Sequence, residues 1–233
     1  YEALVDELLS RPGYGEKMAL YWMDAARYAD SYGYQDDEVR SQWPWRDWVI
    51  HAFNVNMPYN QFVQWQLAGD LMPDASKEQI MATGFNRNHK ITEEGGVIPE
   101  EYRVTYVIDK TNTYSTSMLG ISMECAQCHD HRYDPFSQED YFQLSGFFNN
   151  TPEVGIEGTV TQSTLSKFPK LFISQNEIDS LLSFINAPDT NVVTVSVMGD
   201  LKDSVRQTYI LNRGLYDQPG KPVEPEAPEA VLA

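Results

Sequence analysis

Apolar positions recur at helical spacing through most of the first 150 residues, which predicts one helix after another before any strand. Residues 2–9 (EALVDELL) place Ala3, Leu4 and Leu8 on one face, and Arg11-Pro12-Gly13 then breaks the pattern. Between Gly15 and Tyr32 the repeating positions are Met18, Tyr21, Trp22, Ala25, Ala26 and Ala29. Pro44 precedes a helix from Trp45 to Asn54 that turns Trp45, Trp48 and Val49 inward. Further helices are predicted over Asn60–Asp70 and over Ser76–Phe85, where Ser76 is a natural cap. After the Glu94-Gly95-Gly96 loop, a long helix opens at Pro99 and runs through Tyr102, Tyr106 and Val107 to about Tyr114. Ser137, with Asp140 three residues on, has the look of a capping box and starts a helix that reaches Phe148.

The pattern changes after Thr151. Residues 152–170 are rich in Gly, Thr and Ser and read as a long surface connection, followed by a helix over residues 175–186 that Pro188 ends. Val192–Val197 (VVTVSV) and Gln207–Leu211 (QTYIL) are β-branched or aromatic runs, consistent with a pair of strands. The stretch from Pro219 to Ala233 carries four prolines in 15 residues and reads as an extended arm. The organisation expected is therefore a helical domain over 1–150, a connecting segment with one helix over 151–190, and a short β element with a Pro-rich arm over 191–233.

Charge narrows the partners. The 233 residues hold 34 Asp and Glu against 17 Lys and Arg, a formal charge of −17, so phosphate-rich nucleic acid or anionic lipid would meet a repulsive field. No apolar run is long enough to span a membrane. The chain begins at Tyr1 with no Met and no signal-like segment, and reads as a mature or excised piece.

Both cysteines of the chain lie in Cys125-Ala126-Gln127-Cys128-His129, a C-x-x-C-H. This spacing is the attachment signature of c-type haem. Two thiols three residues apart can add to the two vinyl groups on one porphyrin edge, which puts the next residue, His129, under the iron as proximal ligand. Two other chemistries compete: a dithiol or disulfide between Cys125 and Cys128, and a zinc site built from Cys125, Cys128, His129 and His131. For the opposite face of the iron, the remaining histidines are His51, His89 and His131. His131 is too close to the proximal ligand to swing across, His51 sits in a helix as a core or surface residue, and His89 lies in the polar loop FNRNHKITEEGG as candidate distal ligand or distal-pocket residue. Met118 and Met123 flank the motif, and Met57 and Met72 lie in predicted loops; all four are otherwise core filler. Arg27, Arg87, Arg103 and Arg132 are candidate propionate partners, with pairing to surplus carboxylates as the alternative. Trp43, Trp45 and Trp48 belong to a core or to a haem lining. The cluster Glu93, Glu94, Glu100, Glu101 and Asp109 offers oxygen ligands for Ca²⁺, though its spacing is not that of an EF-hand. No serine–histidine–acid signature, phosphate loop or H-E-x-x-H helix is present.

The motif's surroundings resemble a known family. The run ECAQCHDHRYDPFSQEDYFQLSGFFNN (124–150), with YWMDAARYADSYGYQDD (21–37), WPWRDWVIHAFNVNMPYNQFVQWQLAGDLMP (43–73) and ATGFNRNHKITEEGGVIPEEYR (82–103), resembles the planctomycete-type cytochrome c proteins. In these large secreted proteins a domain of unknown function bearing CxxCH precedes a second uncharacterised domain. TYILNRGLYDQPGKPVEPEAPEAVL (208–232) is similar to the opening of that second domain. The resemblance implies covalent haem c, a periplasmic or extracellular home, electron transfer with a redox partner protein, and association with saccharide-degradation systems. The acidic surface makes a basic redox partner the natural one. Because CxxCH falls after some five predicted helices, the expected fold is mainly α, a multi-helix haem-binding domain distinct from the usual small cytochrome c, with a short β element near the C-terminus. Electron transfer leads; a haem enzyme with an open sixth position, and a structural haem or zinc/dithiol module, are the alternatives.

Overall fold

The computed structural model describes residues 1–159, 162–164, 168–174, 177 and 192–232. About half of it is helical, with a few short strands near the C-terminus, so the fold is mainly α with a small β component. The predicted helix over 175–186 lies outside the described residues except for Glu177. The described helices are α1 (Glu2–Leu9), α2 (Gly13–Ala25), α3 (Trp43–Asn54), α4 (Tyr59–Ala68), α5 (Lys77–Ala82), α6 (Pro99–Tyr114), α7 (Gln138–Asn149) and α8 (Glu229–Leu232). Three antiparallel pairs complete it: β1 (Glu157–Thr159) with β2 (Gln162–Thr164), β3 (Lys170–Ser174) with β4 (Val192–Ser196), and β5 (Thr208–Leu211) with β6 (Pro219–Val223). No described helix is long and apolar enough to cross a membrane.

The chain divides into two compact units, each discontinuous in sequence. One comprises Tyr1–Tyr32, Glu38–Asn88 and Lys167–Met198. Its core is aromatic: Trp22 packs edge-on to Phe62 with ring centres 5.1 Å apart, and Trp48 stacks on Phe62 at 5.6 Å. Trp45 and Trp48 are fully buried here, as core residues. Helices α2 and α3 meet at Gly15, whose N–H donates to Asn54 Oδ1 at 2.9 Å; a Cβ there would lie 2.4 Å from the Ile50 carbonyl, so only glycine allows the approach. The β3–β4 ribbon is tied to the helices by buried polar side chains. Gln42 donates to the carbonyls of Gly84 and Ser196, each at 3.1 Å, and Arg87 donates to those of Pro169 and Val197 at 3.2 and 3.0 Å.

The second unit comprises Gly33–Asp37, His89–Ser166 and Gly199–Ala233. Helix α6 begins at Pro99, whose missing N–H costs nothing at a first turn, and ends in one π-helical turn over Ser115–Leu119, closed by Gly120 at φ 68°. Helix α7 starts with a full capping box: the Ser137 hydroxyl accepts from Asp140 N–H at 3.0 Å, and the Asp140 carboxylate accepts from Ser137 N–H at 2.8 Å. Ser137→Ala is expected to lower stability by about 1 kcal/mol, read as a lower urea midpoint.

Several boundaries differ from the sequence expectation for identifiable reasons. Helix α2 stops at Ala25 instead of reaching Tyr32, because Arg27 adopts φ 50° and the chain turns into the Ser31–Val39 bridge. Pro44 lies inside the first turn of α3 rather than before it. The runs over 192–197 and 207–211 are strands, but they do not pair with each other: each takes a neighbour from a segment that reads as connection or arm. Residues 219–223 thus form a strand despite Pro219 and Pro222, which is tolerated in a two-stranded ribbon where no central ladder is broken.

Candidate functional site

The cysteine motif sits on one turn of 3₁₀ helix, Glu124–Gln127, in the second unit. In a 3₁₀ helix, side chains three residues apart eclipse one another, and this fixes what the motif presents. Met123 and Ala126 form one such pair and both are buried, inside a cluster with Phe136, Tyr141, Phe142 and Leu211. Cys125 and Cys128 form the next pair and both are exposed as free thiols. Burying one stripe of the turn therefore drives both sulfurs outward together. The Cys128 N–H points back at the Cys125 carbonyl at 3.4 Å, closing the turn.

Gln138, at the start of α7, locks this turn in place: its side-chain amide donates to the Gln127 carbonyl at 2.9 Å and to the Leu211 carbonyl at 3.2 Å. The β5–β6 connection passes over Cys128 at Gly214, which adopts φ +74°; a Cβ there would lie 3.2 Å from the Cys128 sulfur. Gly214→Ala is therefore expected to cost ~1–2 kcal/mol for the left-handed backbone and to slow Cys128 labelling by a disulfide reagent while leaving Cys125 labelling unchanged.

His129 is exposed. Its Nδ1 lies 2.7 Å from the Asp130 carbonyl, which can only accept, so Nδ1 carries the proton and the Nε2 lone pair is the one offered outward. His131 is occupied differently. Its Nδ1 accepts the N–H groups of Asp134 at 2.9 Å and Tyr133 at 3.3 Å, which folds the 131–136 loop on itself. Arg132 is exposed and lies over the Tyr133 ring at 5.6 Å.

The other residues singled out from the sequence fall elsewhere. Met123 is buried in the core beneath the thiols. His89 is buried too: Nδ1 lies 2.9 Å from the Lys90 carbonyl, Nε2 faces Glu153 at 3.0 Å, and the ring stacks on Tyr106 at 4.6 Å. As placed, a role at an iron would require Nε2 to leave Glu153. Glu153 also forms a fully buried ion pair with Lys110. Burial pulls the His89 pKa below its ordinary value, against the attraction of Glu153, and the Lys110 charge adds to the lowering. Neither Lys110 nor Glu153 stands out in the sequence, although a lysine four residues after Tyr106, on the same helix face, needs a buried carboxylate. Trp43 and His51 lie in α3 of the first unit, Met57 and Met72 in its loops, and Met118 in the π-helical turn of the second. Arg27 and Arg87 donate to backbone carbonyls in the first unit.

In the acidic cluster, Glu100 takes a bidentate pair of bonds from Arg103, at 2.8 and 2.6 Å, and Glu94 accepts the Gln35 N–H at 2.8 Å. Among the described residues, no three His, Cys, Asp or Glu side chains are gathered as a metal ligand set.

Residues 1–153 match the model of PSCyt2, a protein family of unknown function (DUF1549). The chain belongs to this family. The PSCyt2 span contains the whole cysteine motif and its last residue is Glu153, so both the exposed thiols and the buried Lys110–Glu153–His89 group lie within it. Nothing among curated proteins or solved structures matches the chain.

Proposed function

We propose that the motif is a covalent attachment site for haem c and that the protein transfers electrons outside the cytoplasm. The observation that carries the reading is the eclipsed pair of outward thiols, Cys125 and Cys128, followed by a histidine whose lone-pair nitrogen, Nε2, faces outward. This donor set fits a c-type haem: two thioethers from one turn and one neutral imidazole whose tautomer is fixed by a carbonyl. A haem held there would supply a one-electron iron couple. The protein's own contribution is to hold the turn rigid through Gln138, to keep the proton on His129 Nδ1, and to back the motif with an apolar cluster that excludes water from below. The resemblance to planctomycete-type cytochrome c proteins supports the same cofactor and an extracytoplasmic setting, with a saccharide-degradation system as neighbour. A chain with twice as many acids as bases would steer a basic redox partner.

The test is a pyridine haemochrome spectrum of protein produced alongside cytochrome c maturation machinery, taken after acid–acetone extraction. Colour that stays on the protein, with the α band of a two-thioether haem, is the expected result. A colourless protein sinks the reading and returns the motif to zinc or a dithiol.

One observation favours a second reading, a haem enzyme with an open sixth position. The candidate distal residue His89 is taken up by Glu153. Rapid binding of carbon monoxide or cyanide to the native, haem-loaded protein would favour it over electron transfer.

A further inference from the structure

The second unit has a recess of about 370 Å³ between α6, α7 and the β5–β6 ribbon, a volume at the small end of ligand pockets. Its floor is apolar, built from Val104, Val107, Phe142 and Leu211, and two arginines, Arg103 and Arg206, stand at its wall. We infer that this recess binds a small monocarboxylate with an apolar body, its carboxylate paired with Arg206.

The two arginines are not equivalent. Arg103 is committed: Nε and Nη2 hold the Glu100 carboxylate at 2.8 and 2.6 Å, and Nη1 donates to Asn149 Oδ1 at 2.6 Å. The Arg206 guanidinium donates through Nη1, to the neutral carbonyls of Asn149 and Thr151 at 2.8 and 2.9 Å, and no described carboxylate lies within ion-pair distance of it. Its Nε and Nη2 hydrogens are left for a ligand, in the fork geometry that suits a carboxylate.

Charge points the same way. Two guanidiniums and one carboxylate leave the recess with one surplus positive charge, in a chain where acids outnumber bases two to one. Burial and the nearby Arg103 push the Arg206 pKa down, against the attraction of Glu100, and the net lowering means that an anion in the recess relieves a cost. One surplus charge selects a monoanion. The apolar floor selects against a small hydrated anion, which would gain nothing by leaving water.

The experiment is isothermal titration calorimetry of the full chain with octanoate, with its neutral isostere octanamide, and with acetate. Octanoate is expected to bind saturably at one site, at least tenfold more tightly than either octanamide or acetate. Arg206→Gln, with a melting curve matching that of the parent, is expected to weaken octanoate at least tenfold and leave octanamide unchanged. No saturable octanoate binding, equal affinity for octanoate and octanamide, equal affinity for octanoate and acetate, or an unchanged octanoate affinity in Arg206→Gln would each overturn the inference. The octanamide comparison needs no variant and so stands even if Arg206→Gln does not fold.

Discussion

Replacing both Cys125 and Cys128 by Ser is expected to abolish acid-stable colour in protein produced with cytochrome c maturation machinery. Each single replacement is expected to keep colour on the protein through one thioether, with the pyridine haemochrome α band shifted to longer wavelength. His129→Ala should keep the attachment and change the spectrum of the native protein, because the two thiols and the imidazole have separate roles. The fold should barely register these changes. The thiols are on the exposed stripe of the 3₁₀ turn, whereas Met123 and Ala126 make its buried contacts, so stability measured without haem should change by no more than about 0.5 kcal/mol. That insensitivity makes the test clean: lost colour in a folded double variant reports attachment and not collapse. If the double Ser variant retained extraction-resistant colour, the attachment would lie elsewhere and the reading of the motif would be wrong.

The motif was legible in the sequence because its chemistry depends on spacing, and spacing survives without a structure. The exposure of the thiols was not, since it follows from which stripe of the turn is buried. The helices were legible where local signals coincide. Ser76 and Ser137 both cap as read, Ser137 closing its box with Asp140 and Ser76 adding one with Gln79, and α6 begins at Pro99 as read. Signals failed where distant segments decide. Strand β4 needs Lys170–Ser174 beside it and β5 needs Pro219–Val223, two segments that fall in the stretches read as connection and arm. Pro219, Gly220 and Pro222 hide the one strand, and Lys170–Ser174 is too short to show a period of its own. The recess was invisible for the same reason: Arg103 and Arg206 are about a hundred positions apart, and both bond Asn149 at the end of α7.

Lys110→Met is expected to cost about 3–5 kcal/mol, the usual scale for leaving one partner of a buried ion pair behind. Lys110 and Glu153 are both fully buried, so water cannot take over the role of the missing cation. The double variant Lys110→Met, Glu153→Leu should recover most of that loss, since it removes the stranded charge as well as its partner. Urea midpoints of the parent and both variants measure this, and a cost below about 1 kcal/mol for Lys110→Met would show that Glu153 does not depend on it. The same group sets a pH dependence. Glu153, Lys110, Asp109 and Tyr106 face or act on His89, and burial, the largest effect, holds its pKa below the ordinary 6.5. The unfolded chain therefore binds a proton in a window that opens below about pH 6.5 while the folded chain does not, and folding stability must fall as pH falls through that window. Lys110→Met removes a charge that opposes His89 protonation, so its stability curve should be flatter between pH 6.5 and 5 than that of the parent. A steeper curve in the variant would show that Lys110 does not hold His89 unprotonated, because proton uptake in the folded state, by His89 or by the stranded Glu153, can only flatten the curve.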